Sequence, residues 1–195
     1  MLERGCQRVI AAANVAEARK LHDRLPEHLL CGEAGGVPPD GFDYGNSPVE
    51  FSRLDLAGKP VILATTNGTR AIAGCADGAA AVLVACLLNR TAVAETAMRL
   101  AKEDGADITV VCAGDAGSSG EDLAAARAIV DAINGSVAPE FDAEREVRES
   151  HHAAELRAIG LGEDVEFCAR LDVSDVVPVL FKEDGLVVLK CHSPL

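Results

Sequence analysis

The sequence predicts an α/β protein: a three-layer α/β/α sandwich around a mixed, largely parallel sheet. Three observations carry this. Short apolar runs alternate with helical patterns through the middle of the chain, the arrangement that builds parallel sheets with helices on both faces. Apolar residues make up 49 % of the 195 residues while aromatics make up only 3 %, so the core is built from Ala, Val, Leu and Ile, the mix of strands buried on both faces. The chain closes on two apolar runs joined by Lys182-Glu183-Asp184-Gly185, a hairpin signal that adds an antiparallel edge.

The elements follow in order. Arg8 to Ala13 reads as a strand. Asn14 caps a helix, with Glu17 in capping-box position and Ala18, Leu21 and Leu25 at helical spacing before Pro26. His28 to Cys31 is a short strand. Gly32 to Pro48 is dense in Gly and Pro and reads as an ordered loop, of a length that is often functional. Val61 to Thr65 is a strand, Thr66 to Thr69 a turn and Arg70 to Cys75 a short helix. Ala81 to Cys86 is a strand, and Asn89 caps a helix ending near Gly105. Asp107 to Ala113 is a further strand, followed by a Gly/Ser turn. A helix from Glu121 to about Asn134 carries Leu123, Ala126, Val130 and Ile133 on one face. Another covers Asp142 to Ile159 and stops at Gly160. Val176 to Phe181 and Leu186 to Lys190 form the closing hairpin. No repeat, low-complexity segment or linker interrupts the chain, so the expectation is one domain over residues 1–195.

The composition limits the partners. The net charge is −13 and there is no Lys/Arg run, which argues against nucleic acid and against an anionic membrane surface. No apolar run reaches the length of a spanning helix. The seven cysteines include no Cys-x-x-Cys pair, and most lie in apolar stretches. They read as buried thiols in a reducing cytoplasm, not as disulfides or a zinc cluster.

Ligands of α/β sheets gather at the carboxyl ends of the strands, and three loops there are chemically loaded. In Thr65-Thr66-Asn67-Gly68-Thr69-Arg70, between strand and helix, backbone N–H groups, the hydroxyls of Thr66 and Thr69, and Arg70 can receive an anion. An ordinary capped turn fits the same residues. Asp115 to Asp122 holds a capping box, Ser119 with Asp122, yet Glu121 and Asp122 can also hold Mg²⁺, a hard ion that takes oxygen ligands. The long loop carries Glu33, Asp40, Asp43, Asn46 and Ser47. His151 and His152 with Glu155 read as exposed or capping residues, and Cys191 beside His192 as too close to the terminus for a nucleophile pair.

Taken together, these loops resemble the 2-phosphosulfolactate phosphatase family. The resemblance runs through Gly32-Glu33, Gly41-Phe42-Asp43, Gly45-Asn46-Ser47-Pro48-Val49-Glu50-Phe51 and Thr65-Thr66-Asn67-Gly68-Thr69. It continues in Val111-Cys112-Ala113-Gly114, Glu121-Asp122, Ser150-His151, Asp164-Val165, Phe167-Cys168 and Val177-Pro178. It implies Mg²⁺-dependent hydrolysis of a small anionic phosphorylated substrate, 2-phospho-3-sulfolactate, in coenzyme M biosynthesis, and homo-oligomer formation by analogy. On that basis Glu33, Glu121 and Asp122 are expected to hold Mg²⁺. Asn46 and Ser47 would orient the carboxylate or sulfonate, and Thr66, Asn67, Gly68 and Thr69 would bind phosphate. Arg70 would offset transition-state charge and metal-activated water would be the nucleophile. Two departures accompany the resemblance. Family members usually begin with an additional strand and loop like Ile-Asp-Val-Leu-Arg-Ala-Thr-Thr, so a truncated start is expected here. Ala34 also stands where the family has an arginine. A catalytically impaired member that binds anions or only self-associates is the competing expectation.

Overall fold

The computed structural model describes residues 1–114, 120–136 and 141–192. The chain divides into two compact units, one formed by Met1–Val82 with the chain from Pro178 onward, the other by Leu83–Val177.

The first unit holds the sheet. Its elements are β1 (Arg8–Ala12), α1 (Val15–Arg24), β2 (Leu29–Gly32), α2 (Pro48–Arg53), β3 (Pro60–Ala64), α3 (Gly68–Gly74), and, in the C-terminal part, β4 (Pro178–Glu183) and β5 (Leu186–Cys191). The strand order is β2-β3-β1-β5-β4. β3 pairs parallel with both β1 and β2, and β5 pairs antiparallel with both β1 and β4, so β5 alone runs against the other strands. This is the mixed, largely parallel sheet that the sequence predicts. Successive strand residues point to opposite faces, and both sets are buried. Ile10, Ala12, Ile62 and Ala64 pack with Ala18 and Leu21 of α1, while Val9, Ala11, Val61 and Cys31 on the other face are buried too. A sheet covered on both sides is the α/β/α arrangement.

Local chemistry explains the element ends. The Asn14 side chain accepts the Glu17 N–H at 2.9 Å, and the Glu17 carboxylate returns to the Ala13 N–H at 2.7 Å. In the closing hairpin, Asp184 and Gly185 both take positive φ, 51° and 77°, as a two-residue turn between twisted strands requires. In this unit one α-helix was not anticipated: α2 begins where the loop was expected to end. The Ser47 hydroxyl accepts the Glu50 N–H at 3.1 Å and Pro48 occupies the first helical turn.

The second unit is helical: α4 (Arg90–Asp104), α5 (Gly120–Asn134), α6 (Ala143–Arg148), α7 (His151–Ala158) and α8 (Gly162–Cys168). Four expectations fail here. Ala81 to Cys86 and Asp107 to Ala113 form no strand. In the first segment the backbone finds other partners. The Leu180 N–H bonds to the Val82 carbonyl at 3.0 Å. The buried Asn89 amide accepts the Cys86 N–H at 2.9 Å and donates to the carbonyls of Val84 and Val176 at 3.2 and 2.8 Å. Asn89 is thereby drawn away from capping α4. That cap comes from Asp172, whose carboxylate accepts the Thr91 N–H at 2.7 Å and pairs with Arg90. In the second segment Ile108 and Val111 are exposed, so the apolar run was not a buried strand.

The third failure is the expected helix from Asp142 to Ile159, which breaks in two. Ser150 leaves helical geometry (φ −63°, ψ 156°) and its hydroxyl caps α7 through the Ala153 N–H at 3.1 Å. The fourth is the face of α5. Ala124, Ala128 and Ile129 are its buried positions, and Leu123 and Val130 face out. Ile129 and the small Ala124 and Ala128 form the buried face, not the Leu123 and Val130 positions. The cysteines also depart from expectation. Only Cys6 and Cys31 are buried, Cys75 is half-buried, and Cys86, Cys112, Cys168 and Cys191 are exposed. Among the described residues no helix is long and apolar enough to cross a membrane.

Candidate functional site

Parallel pairing brings the carboxyl ends of β2 and β3 side by side, with Gly32 opposite Ala64. The approach is close. A Cβ on Gly32 would lie 1.9 Å from the Ala64 carbonyl oxygen, and the residue has φ +143°, so only glycine fits. Immediately beyond it the Glu33 N–H donates to the same carbonyl at 3.0 Å. The two loops leaving these strands are therefore locked together at their roots.

The Glu33 carboxylate then reaches across. Its Oε1 accepts the Thr66 N–H at 2.6 Å, and its Oε2 accepts the Thr66 hydroxyl at 3.1 Å and the Gly36 N–H at 3.0 Å. A second set of bonds closes the neighbouring turn. Thr65 Oγ1 accepts the Thr69 N–H at 3.0 Å, while the buried Thr69 hydroxyl accepts the Thr65 N–H at 3.1 Å and donates to the Thr65 carbonyl at 3.2 Å. The hydroxyls of Thr66 and Thr69, expected to face an anion, are thus engaged within the loop. Among the described residues the N–H groups of Asn67 and Gly68 have no hydrogen-bond partner, and Arg70 reaches the Asn67 side-chain oxygen at 3.3 Å. What the turn offers an anion is backbone N–H and a nearby guanidinium.

The long loop after β2 is held by the same logic. The Asp43 carboxylate accepts the Leu30 N–H at 2.8 Å, and the Gly32 N–H is shared between the carbonyls of Tyr44 and Gly45 at 3.1 Å each. Asp43 therefore serves the backbone of β2. Of the two residues expected to orient substrate, Ser47 caps α2 and Asn46 is exposed. Cys31 lies next to this region but is no nucleophile, because burial pushes its thiol up to about 12.

Glu121 and Asp122 belong to the second unit, in the first turn of α5. Glu121 Oε2 is buried and has no hydrogen-bond partner among the described residues. Asp115, Ser118 and Ser119, the rest of that loop and its expected cap, lie outside the described residues. The Cys112 thiol rests 3.7 Å from the Asp122 carbonyl. The expected ligand trio is therefore divided between the units, and among the described residues no three His, Cys, Asp or Glu side chains form a ready-made cage. Mg²⁺ seldom needs one, since it keeps several waters and uses one or two carboxylates with substrate phosphate. A buried, unpartnered carboxylate oxygen is what such an ion would complete, so Glu121 fits the cation. Glu33 fits it less well, with three donors already on its two oxygens.

The remaining candidates are ordinary surface pairs. Glu155 meets His151 at 3.3 Å and His152 at 3.1 Å, and the bond from His152, with the charge of His151, holds its carboxyl below the usual range. The Cys191 thiol rests 3.7 Å from the His192 carbonyl.

Comparison with known proteins agrees with the resemblance drawn from the motifs. The family model described as 2-phosphosulpholactate phosphatase matches residues 1–183. A protein of Deinococcus radiodurans named "Probable 2-phosphosulfolactate phosphatase" is 35 % identical over 202 residues, covering 95 % of this chain and 83 % of the relative. One of the same name from Pseudothermotoga lettingae is 37 % identical, covering 95 % and 84 %. Another from Thermus thermophilus is 35 % identical, covering 92 % and 80 %.

Proposed function

The chain belongs to the 2-phosphosulpholactate phosphatase family, and from that premise we propose that it hydrolyses 2-phospho-3-sulfolactate to sulfolactate and phosphate in a Mg²⁺-dependent reaction. The observation that carries the reading is the turn at the carboxyl end of β3. It is fixed from both sides by hydrogen bonds, yet among the described residues the N–H groups of Asn67 and Gly68 have no partner. Donors fixed in advance cost no reorganisation when an anion arrives, the condition under which they stabilise developing charge most.

In this reading Asn67 and Gly68 bind phosphate oxygens through their N–H groups, and Arg70 offsets negative charge as the ester bond breaks. Thr66 and Thr69 serve by holding the turn. Asn46 and Ser47 border the substrate's carboxylate or sulfonate, Asn46 with its side chain and Ser47 by anchoring α2. Glu121 and Asp122 would hold Mg²⁺, which supplies charge neutralisation and an acidified water. The substrate is a small anion met in the cytoplasm, and its sulfonate connects the reaction to coenzyme M biosynthesis.

The test is direct. The purified chain given 2-phospho-3-sulfolactate should release inorganic phosphate, and EDTA should abolish the release. A folded chain that binds phosphate but leaves the ester intact would refute the reading and identify a non-catalytic, anion-binding member of the family.

A further inference from the structure

We propose that Glu33 is a positioning residue: its carboxylate latches the Thr66 turn so that the Asn67 and Gly68 N–H groups face the substrate phosphate, and it does not ligate the cation. The inference rests on the functional reading above and assigns Glu33 a task within it.

The geometry is that of a latch. Glu33 grips the end of β3 twice, through its backbone N–H on Ala64 and its carboxylate on Thr66. It also closes its own loop on the Gly36 N–H. An ionised carboxylate offers roughly four lone-pair sites, and three are filled by these donors. Each bond is charge-assisted and stronger than a neutral one. A cation on the one site left, on Oε1, would compete with the Thr66 N–H for that oxygen and weaken the tether of the turn. There is also a sign argument. A negative carboxylate beside a phosphate site weakens binding unless its charge is satisfied elsewhere, and the Thr66 and Gly36 donors satisfy it. Gly32 makes the arrangement possible, because only its close approach to Ala64 brings Glu33 within reach of the turn.

The experiment compares Glu33→Gln and Thr66→Val with the wild-type chain by three readouts. These are KM for 2-phospho-3-sulfolactate, the Mg²⁺ concentration giving half-activation, and hydrogen exchange at the Thr66 amide. Glutamine keeps one acceptor but sets an NH₂ group against the remaining donors. The expected result is a KM about tenfold higher and Thr66 exchange about tenfold faster, the loss of one charge-assisted bond, with the Mg²⁺ half-activation unchanged. Thr66→Val removes the hydroxyl alone and should raise KM about threefold, with no further increase when added to Glu33→Gln. Should Glu33→Gln fail to fold, the valine variant decides, and an unchanged KM there overturns the latch. So does a Glu33→Gln chain whose Mg²⁺ requirement rises tenfold, whose KM falls, or whose Thr66 exchange stays put. If wild-type chain releases no phosphate, the functional reading fails, while exchange at Thr66 still decides the latch by itself.

Discussion

Glu33 in the sheet-bearing unit and Glu121 in the helical unit both follow shortly after a strand-like or loop segment, and both were expected to hold the same ion. Their surroundings differ. Glu33 accepts three hydrogen bonds from the loops at the ends of β2 and β3, whereas one oxygen of Glu121 is buried with no partner among the described residues. A buried carboxylate oxygen without a partner costs stability, and a bound cation would offset that cost. A carboxylate with donors on both oxygens needs no such offset. On the proposed reading, the contrast separates a residue that builds the site from one that is open to a ligand.

The sharpest way to break the comparison is Glu121→Gln. Turnover at saturating Mg²⁺ should fall on the order of 100-fold, while stability in urea changes by no more than about 1 kcal/mol, since no hydrogen bond is lost. Full turnover in this variant would remove the distinction between the two carboxylates. Gly32→Ala attacks the other side. Its methyl group would meet the Ala64 carbonyl, parting β2 from β3, and urea denaturation should show a loss of about 4 kcal/mol or more. A smaller loss would mean that the roots of the two loops are less tightly joined than their geometry implies.

A third, smaller effect tests the helical unit alone. Burial pushes the Asp172 carboxyl up, but the Thr91 N–H and the Arg90 guanidinium outweigh it and hold it below the usual carboxylate range. A group whose folded value is depressed contributes stability above its unfolded value of about 3.9 and loses it as pH falls through the folded value. Asp172→Asn keeps an acceptor for the Thr91 N–H but loses the charge facing Arg90, so it should cost about 1 kcal/mol near neutral pH, and the cost should vanish in strong acid; equal costs at both pH values would contradict the role of the ion pair. Last, replacing His151 and His152 by Ala should leave Mg²⁺-dependent turnover unchanged, because among the described residues both pair with the exposed Glu155. A loss of activity there would relocate the cation.

The first unit was largely legible in the sequence because its signals are local and agree with one another. Apolar runs gave β1 and β3, Asn14 with Glu17 gave the start of α1, and Asp184-Gly185 gave the hairpin. The second unit was not. An apolar run such as Asp107 to Ala113 shows that a segment suits a strand but not whether a neighbouring strand is there to pair with it, and among the described residues it pairs with none. Asn89 read as a cap until Val176, far along the chain, competed for its amide. On α5 the expected face was Leu123, Ala126, Val130 and Ile133, whereas packing buries Ala124, Ala128 and Ile129, a face set by which helices lie alongside. At the site, the chemistry of Glu33, Thr66, Glu121 and Asp122 was visible as residue types. The division of labour was not, because it depends on contacts between residues 33 positions apart in sequence.

Side-by-side Mg²⁺ titrations of Glu33→Gln and Glu121→Gln, read as phosphate released from 2-phospho-3-sulfolactate, test the contrast between the two carboxylates most directly. The half-activating Mg²⁺ concentration should stay at the wild-type value for Glu33→Gln and rise at least about tenfold for Glu121→Gln. The reverse pattern, or equal shifts in both, would contradict it.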